Sequence, residues 1–295
     1  MSGTQASGAG TRADAEGVPA SALAAVRAFA GPAAPPATRR VRLVALDFDG
    51  TLAPLVDDPA ASTMTPAARA AVERLAALAA RPTAGDGDEV RVALVSGRNL
   101  SDLAERSGAP AGTYLVGSHG AETGRVTPHG VDAVPLRLTD AQADVLARLR
   151  EGMQDAVDGR RGAWVQDKPS AAVLHTRRCG ADVAGAAEAD VDAVAARLGL
   201  HAMHGKDVVE VAVVPTSKGI AVERLREELE EGDDDLRGIV LYAGDDTTDE
   251  TAFEVLGPED LGLKVGPGPT RATERVADAD QLAALLEHLA DALDR

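Results

Sequence analysis

The chain is predicted to be an α/β protein: a parallel-sheet core with helices on both faces, interrupted by a second α/β segment. Three observations carry this expectation. Apolar runs rich in Val, Leu and Ala at 41–46, 90–95, 113–116 and 239–243 alternate with amphipathic stretches, as strands buried on both faces do. The rhythm changes after Glu122 and resumes at Lys218. Each of the four runs is followed by polar or acidic residues, at the sheet edge where ligands of parallel α/β folds collect.

Taken in order, residues 1–40 are rich in Ala, Gly, Ser and Pro, which suits a mobile leader with a short helix over 21–30. Residues 41–46 form the first buried strand. Thr65 followed by Pro66 reads as an N-cap with proline at the first helical position, and Ala71, Val72, Leu75, Leu78 and Ala79 share one helical face ended by Pro82. A strand at 90–95, a short helix at 101–107 and a strand at 113–116 follow. Turns and short strands are expected over 126–138. Then come a helix at 139–157, strands near 163–165 and 171–175, a helix at 182–198 and a strand at 208–213. The first rhythm returns with a helix at 220–231, strands at 239–243 and 262–265 flanking a short helix at 248–256, and a last helix at 280–293. The expected division is a leader at 1–40, a discontinuous core at 41–121 and 214–295, and an insert at 122–213.

With 295 residues, 45% of them hydrophobic, the chain can bury substantial cores, but aromatics make up only 2%, so Ala and Val must fill much of them. A formal charge of −17 argues against nucleic acid and anionic membrane surfaces as partners. The single cysteine, Cys179, allows no intramolecular disulfide. No apolar run reaches the roughly 18 residues needed to span a bilayer, and the first residues lack a secretory signal pattern, so a cytoplasmic location is expected.

The chemistry concentrates at Asp47-Phe48-Asp49-Gly50-Thr51. Side chains alternate along a strand, so Asp47 and Asp49 point the same way if the backbone stays extended, and their repulsion calls for a cation or a shared proton. Ser96, the turn Gly117-Ser118-His119-Gly120, and Gly244-Asp245-Asp246-Thr247-Thr248-Asp249 end the other runs and should converge on the same edge. Such an acidic edge needs a cation, and hard oxygen donors without a His/Cys pair point to Mg²⁺. An EF-hand reading of 47–58 fails because Thr51 stands at its fifth position and Asp58 at its closing Glu. Neither a Gly-x-x-x-x-Gly-Lys nor a Gly-x-Gly-x-x-Gly loop occurs.

Asp47 to Thr51, Ser96, Lys218 and Gly-Asp-Asp-x-Thr-Asp from Gly244, in this order, resemble the haloacid dehalogenase-like (HAD) phosphohydrolases. Within them the chain resembles trehalose-6-phosphate phosphatases through residues 47–55, Gly-Ser-His-Gly-Ala-Glu at 117–122, Lys168 to His175 with Arg177, 205–210, and 244–253. The resemblance runs from about Val41 to the end. It implies a HAD-like Rossmannoid core with a mobile cap at 122–213. It implies that Asp47 attacks phosphorus to form an aspartyl-phosphate, that Asp49 is the acid and base, and that Ser96 and Lys218 hold phosphoryl oxygens. Mg²⁺ would be held by Asp47, the carbonyl of Asp49 and Asp245, with Asp246 or Asp249 acting directly or through water. Arg98, His119, Lys168, His175, Arg177, Lys206 and Glu210 are the implied substrate-binding residues. One departure is Gln166, where the family often has Glu before the x-Lys pair. The implied activity is hydrolysis of trehalose 6-phosphate, with a trehalose-6-phosphate synthase as functional partner. The competing readings are another capped HAD sugar phosphatase, acting on sucrose phosphate, mannosylglycerate phosphate or a hexose phosphate, and an inactive sugar-phosphate-binding regulator. Retention of Asp47, Asp49 and Asp245 disfavours the last.

Overall fold

The computed structural model describes residues 17–32, 39–56, 58–81, 88–134, 136–233 and 235–294. In chain order these form α1 (Ala20–Ala30), β1 (Arg39–Asp47), α2 (Pro66–Ala79), β2 (Glu89–Val95), α3 (Leu100–Ser107), β3 (Tyr114–Gly117), β4 (Glu122–Thr127) and β5 (Gly130–Val134). Next come α4 (Asp140–Val157), β6 (Trp164–Asp167), β7 (Ala171–His175), α5 (Ala181–Arg197), β8 (Ala202–Gly205) and β9 (Val208–Ala212). The chain ends with α6 (Lys218–Glu230), β10 (Leu236–Gly244), α7 (Glu250–Glu254), β11 (Leu261–Val265), β12 (Glu274–Val276) and α8 (Ala279–Leu293).

Among the described residues the strands form an eight-stranded sheet, ordered β12-β11-β10-β1-β2-β3-β4-β5, and a four-stranded sheet, ordered β6-β7-β9-β8. From β12 to β3 the larger sheet is parallel, with β1 between β10 and β2. This is the predicted α/β class. Its two faces bury separate cores. One packs α1, α2 and α8 against Val44, Leu46, Val92 and Leu94; the other packs α6 and α7 against Leu43, Ala45, Val240 and Tyr242. Alternation along each strand produces this split.

The pattern-based elements recur with ends shifted by up to three residues. Thr65 caps α2, its hydroxyl accepting from the Ala68 amide at 3.1 Å. Two short strands, β8 and β12, carry too few residues to show a period. β4 and β5, which the sequence reading put in the insert, continue the larger sheet as an antiparallel hairpin through Val134. Most of the expected leader lies outside the described residues, but α1 is packed: Ala22, Val26 and Phe29 are buried in the first core. Arg42, itself buried, donates from Nε to the Phe29 carbonyl at 2.9 Å and from Nη2 to that of Gly31 at 2.6 Å, fastening the end of α1 to β1.

The smaller sheet has a third core, in which Ala172, Leu174, Val209 and Val211 meet Leu149, Met153, Val191 and Val194 of α4 and α5. Those helices cover one face only. The other face carries Glu210 towards the carboxyl edge of the larger sheet.

Candidate active site

β1 ends in Asp47, which is buried, and the chain then turns sharply at Gly50. Gly50 has φ of +83°, and a Cβ there would lie 2.1 Å from Asp245 Oδ2, so only glycine lets the loop after β10 approach. Asp47 Oδ1 accepts from Lys218 Nζ at 2.6 Å and Oδ2 from Thr51 Oγ1 at 2.9 Å. Lys218, the first residue of α6, also donates to Asp249 Oδ1 at 2.7 Å. That oxygen accepts the Tyr242 hydroxyl at 2.6 Å, while Asp249 Oδ2 accepts the Asp246 amide at 2.9 Å.

Asp47, Asp245 and Asp249 form a triad whose ligand oxygens lie within 4.8 Å of one another. The carboxylates of Asp49 and Asp246 stand apart from it. Asp246 instead caps the turn that follows, accepting from the Thr247 amide at 2.6 Å. The hard-oxygen donor set, on a rigid buried frame, fits a divalent cation of the Mg²⁺ kind.

The charge balance points the same way. Burial pushes Asp47 up, Lys218 pulls it down, and Asp249 and Asp245 push it up again, leaving it at about 8. Burial opposes the Lys218 charge, but Asp47 and Asp249 outweigh it and hold the ammonium well above its usual range. Asp245 is likewise raised, by burial and then by Asp249. One ammonium facing three carboxylates leaves an excess of negative charge that a proton or a cation must remove.

Asp49 lines the same cavity as Asp47. Its carboxylate is clasped by Arg98, Nε to Oδ2 at 2.6 Å and Nη2 to Oδ1 at 2.7 Å, and by the Ser62 hydroxyl at 2.8 Å. Arg98 Nη1 also reaches Asp102 at 2.6 Å, so this expected substrate ligand is already engaged by two carboxylates. Ser96 is buried at the end of β2, its hydroxyl accepting from the Arg98 amide at 3.2 Å. His119 follows β3 at φ of 54°, in the left-handed region, after Ser118 at 48°. A Cβ at Gly97 would lie 2.6 Å from the His119 ring, so the ring is packed against backbone. Burial, then the charge of Lys218, lowers the His119 pKa.

The cavity lined by Asp47, Asp49, Ser96, Arg98, His119, Lys218 and Asp245 measures about 710 Å³. A second, of about 260 Å³, shares His119 and Lys218 with it and extends to Glu210, Gly205 and Met203 of the smaller sheet. Lys168 Nζ bridges both oxygens of Glu210 at 3.0 and 2.8 Å. His175 stands further along the same sheet. Of the expected cap ligands only Glu210 lines a cavity; Lys168 and His175 lie outside both linings, as do Arg177 and Lys206, which are exposed in turns.

Sequence reasoning gave Thr51 no role of its own and missed Ser62, Asp102 and Tyr242. Tyr242 had a usable signal: a tyrosine in a wholly apolar buried strand must find a partner for its hydroxyl.

Comparisons with known proteins agree with this architecture. The family model for trehalose-phosphatase matches residues 45–282. A trehalose-phosphate phosphatase of Mycobacterium marinum is 34% identical over 226 residues, 75% of this chain and 53% of that protein. The chain thus spans about half the length of the curated relatives it matches. An Aspergillus fumigatus trehalose-6-phosphate phosphatase structure superposes with a TM-score of 0.64 at 25% identity, covering 93% of this chain and 100% of that one. The C-terminal domain of the Candida albicans enzyme gives 0.64 at 22% identity over 93% and 98% of the two chains, a likeness of fold. With its HAD-like core and this match across most of its length, the chain belongs to the trehalose-phosphatase family.

Proposed function

We propose that the protein is a Mg²⁺-dependent phosphatase that hydrolyses trehalose 6-phosphate to trehalose and phosphate. The observation that carries this reading is the buried Asp47–Lys218–Asp249 cluster, whose Lys218 lines a cavity shared with Glu210 of a second sheet. Asp47 Oδ attacks phosphorus, and the bond from phosphorus to the sugar oxygen breaks. Asp49, as the carboxylic acid, gives its proton to that leaving oxygen. Water then attacks the aspartyl-phosphate, passing its proton to Asp49 and regenerating Asp47 as phosphate departs.

For this, Asp49 must exchange Arg98 and Ser62 for the substrate. Lys218 and Ser96 face the transferring oxygens and stabilise their charge. Asp47, Asp245, Asp249 and the carbonyl of Asp49 would hold Mg²⁺, which when bound neutralises carboxylate charge and polarises the phosphoryl group. The segment from α4 to β9 acts as the cover that reads the sugar, with Lys168 and Glu210 as its contacts. Arg177 and Lys206, both exposed, join them only if the cover closes further. A trehalose-6-phosphate synthase as functional partner and a cytoplasmic location complete the reading. No described helix is long and apolar enough to cross a membrane.

Phosphate release from trehalose 6-phosphate, sucrose 6-phosphate and glucose 6-phosphate, each with Mg²⁺ and with EDTA, tests the reading. Preference for either of the other sugars overturns the substrate, and near-normal turnover by Asp47→Asn overturns the mechanism. Glu210→Ala is expected to damage hydrolysis of trehalose 6-phosphate more than that of p-nitrophenyl phosphate.

A further inference from the structure

On the smaller sheet, Val165, Leu174 and Val209 pack towards α4 and α5. Side-chain alternation therefore turns Trp164, Gln166, His175 and Glu210 to the opposite, open face. There Trp164 pairs across the strands with His175, their rings stacked 3.9 Å apart and 6° from parallel. Gln166 Oε1 lies 3.0 Å from His175 Nε2, which fixes the imidazole on the indole. Trp164 is 46% exposed and belongs to no buried cluster among the described residues. Folding therefore leaves a large amphipathic surface in water, in a chain with very few aromatics.

Position says what could cover it. Glu210, on the same face, lines the cavity that reaches Lys218. Trp164 stands two strands across and two residues along from Glu210, about 12 Å in backbone terms. A ligand with its phosphate at Lys218 and its first ring beside Lys168 and Glu210 would bring a second ring over the indole. Gln166 contributes through its neutrality. Burial and then Lys168 lower the His175 pKa, and an amide, unlike a carboxylate, draws no proton onto the ring. The stack is thus an uncharged plate, suited to the apolar C–H face of a sugar.

We propose that Trp164, backed by His175 and Gln166, is the platform for the sugar ring distal to the phosphate, and so the residue by which the enzyme distinguishes a two-ring from a one-ring sugar phosphate. The proposal rests on the trehalose 6-phosphate reading above. It also gives His175 a supporting task in place of direct contact with the sugar.

Two measurements test it. Trp164→Ala should raise KM for trehalose 6-phosphate about tenfold, the loss expected from uncovering one ring face, with kcat little changed. Its kcat/KM for glucose 6-phosphate, which lacks the distal ring, should stay at the wild-type value, and Trp164→Tyr should restore most of the affinity. Trp164 is the only tryptophan in the sequence, so its fluorescence reports on the platform without any substitution there. Trehalose 6-phosphate added to Asp47→Asn should shift or quench that emission, and glucose 6-phosphate should leave it unchanged. Equal losses on both substrates, or unaltered emission at saturating trehalose 6-phosphate, overturn the platform while leaving the substrate reading intact. A wild type that does not hydrolyse trehalose 6-phosphate overturns that reading, and the platform with it.

Discussion

Replacing Lys218 with methionine keeps the side chain's approximate volume and deletes one ammonium. Two charge-assisted hydrogen bonds disappear, at 2.6 Å to Asp47 and 2.7 Å to Asp249, and three carboxylates within 4.8 Å of one another lose their counter-charge. Breaking a buried ion pair from one side costs about 3–5 kcal/mol. Proton uptake by Asp47 offers partial relief, worth about 1.4 kcal/mol for each pH unit. In EDTA at pH 8, Lys218→Met should therefore lose about 3–5 kcal/mol of unfolding free energy against wild type, and the deficit should shrink towards pH 6. Mg²⁺ should recover most of it, because the cation replaces the missing positive charge, and calorimetry should show tighter Mg²⁺ binding than in wild type. Activity should still fall at least ~100-fold at saturating Mg²⁺, since the phosphoryl oxygens lose their fixed cation. Urea denaturation at both pH values, with EDTA and with Mg²⁺, measures all the stability terms. A variant as stable as wild type in EDTA, or one whose deficit grows on acidification, would refute the reasoning.

Three further outcomes are expected. In wild-type protein without metal, Asp47 is raised from 3.8 when unfolded to about 8 when folded, so the folded state holds the extra proton. Its contribution to stability is therefore lost as pH rises from about 4 to about 8; urea midpoints should show this slope in EDTA, and both Mg²⁺ and Asp47→Asn should flatten it. Gly50→Ala places a Cβ 2.1 Å from Asp245 Oδ2 at a φ of +83°. It should cost about 1–2 kcal/mol in backbone strain and weaken Mg²⁺ binding in calorimetry by displacing that carboxylate. Tyr242→Phe removes a buried 2.6 Å hydrogen bond to Asp249. It should lower the unfolding free energy by roughly 1.5–3 kcal/mol, and an unchanged urea midpoint would count against that bond.

The strands of the core were legible because burial on both faces leaves apolar runs, unbroken at 43–46 in β1 and at 239–243 in β10. Asp47 and Asp245 were legible because a parallel sheet sends its strand ends to one edge, whereas Lys218, at the start of α6, was reached only through the resemblance to the HAD phosphohydrolases. The clasp of Arg98 on Asp49 was not legible, since it depends on how the loops after β1 and β2 meet and not on any spacing. Nor was the placement of β4 and β5. Their Pro- and His-containing surroundings signal a departure from the parallel rhythm, and only backbone pairing decides which sheet receives them. Trp164 was passed over because one aromatic in a short, mostly exposed strand has no period to announce its face.

The placement of β1 has a consequence for how the chain reaches this form. As a central strand it needs β10, and Val41 pairs with Gly238 across most of the chain's length. Closing so long a loop is entropically slow, and the larger sheet cannot be completed until β10 has left the ribosome. The intervening segment has its own hydrophobic cluster and contacts close in sequence, so it can condense first and draw the two halves of the larger sheet together. Until β10 arrives, β1 presents an unpaired edge of nine residues, seven of which end up buried, and this interval is when the chain is most exposed to aggregation.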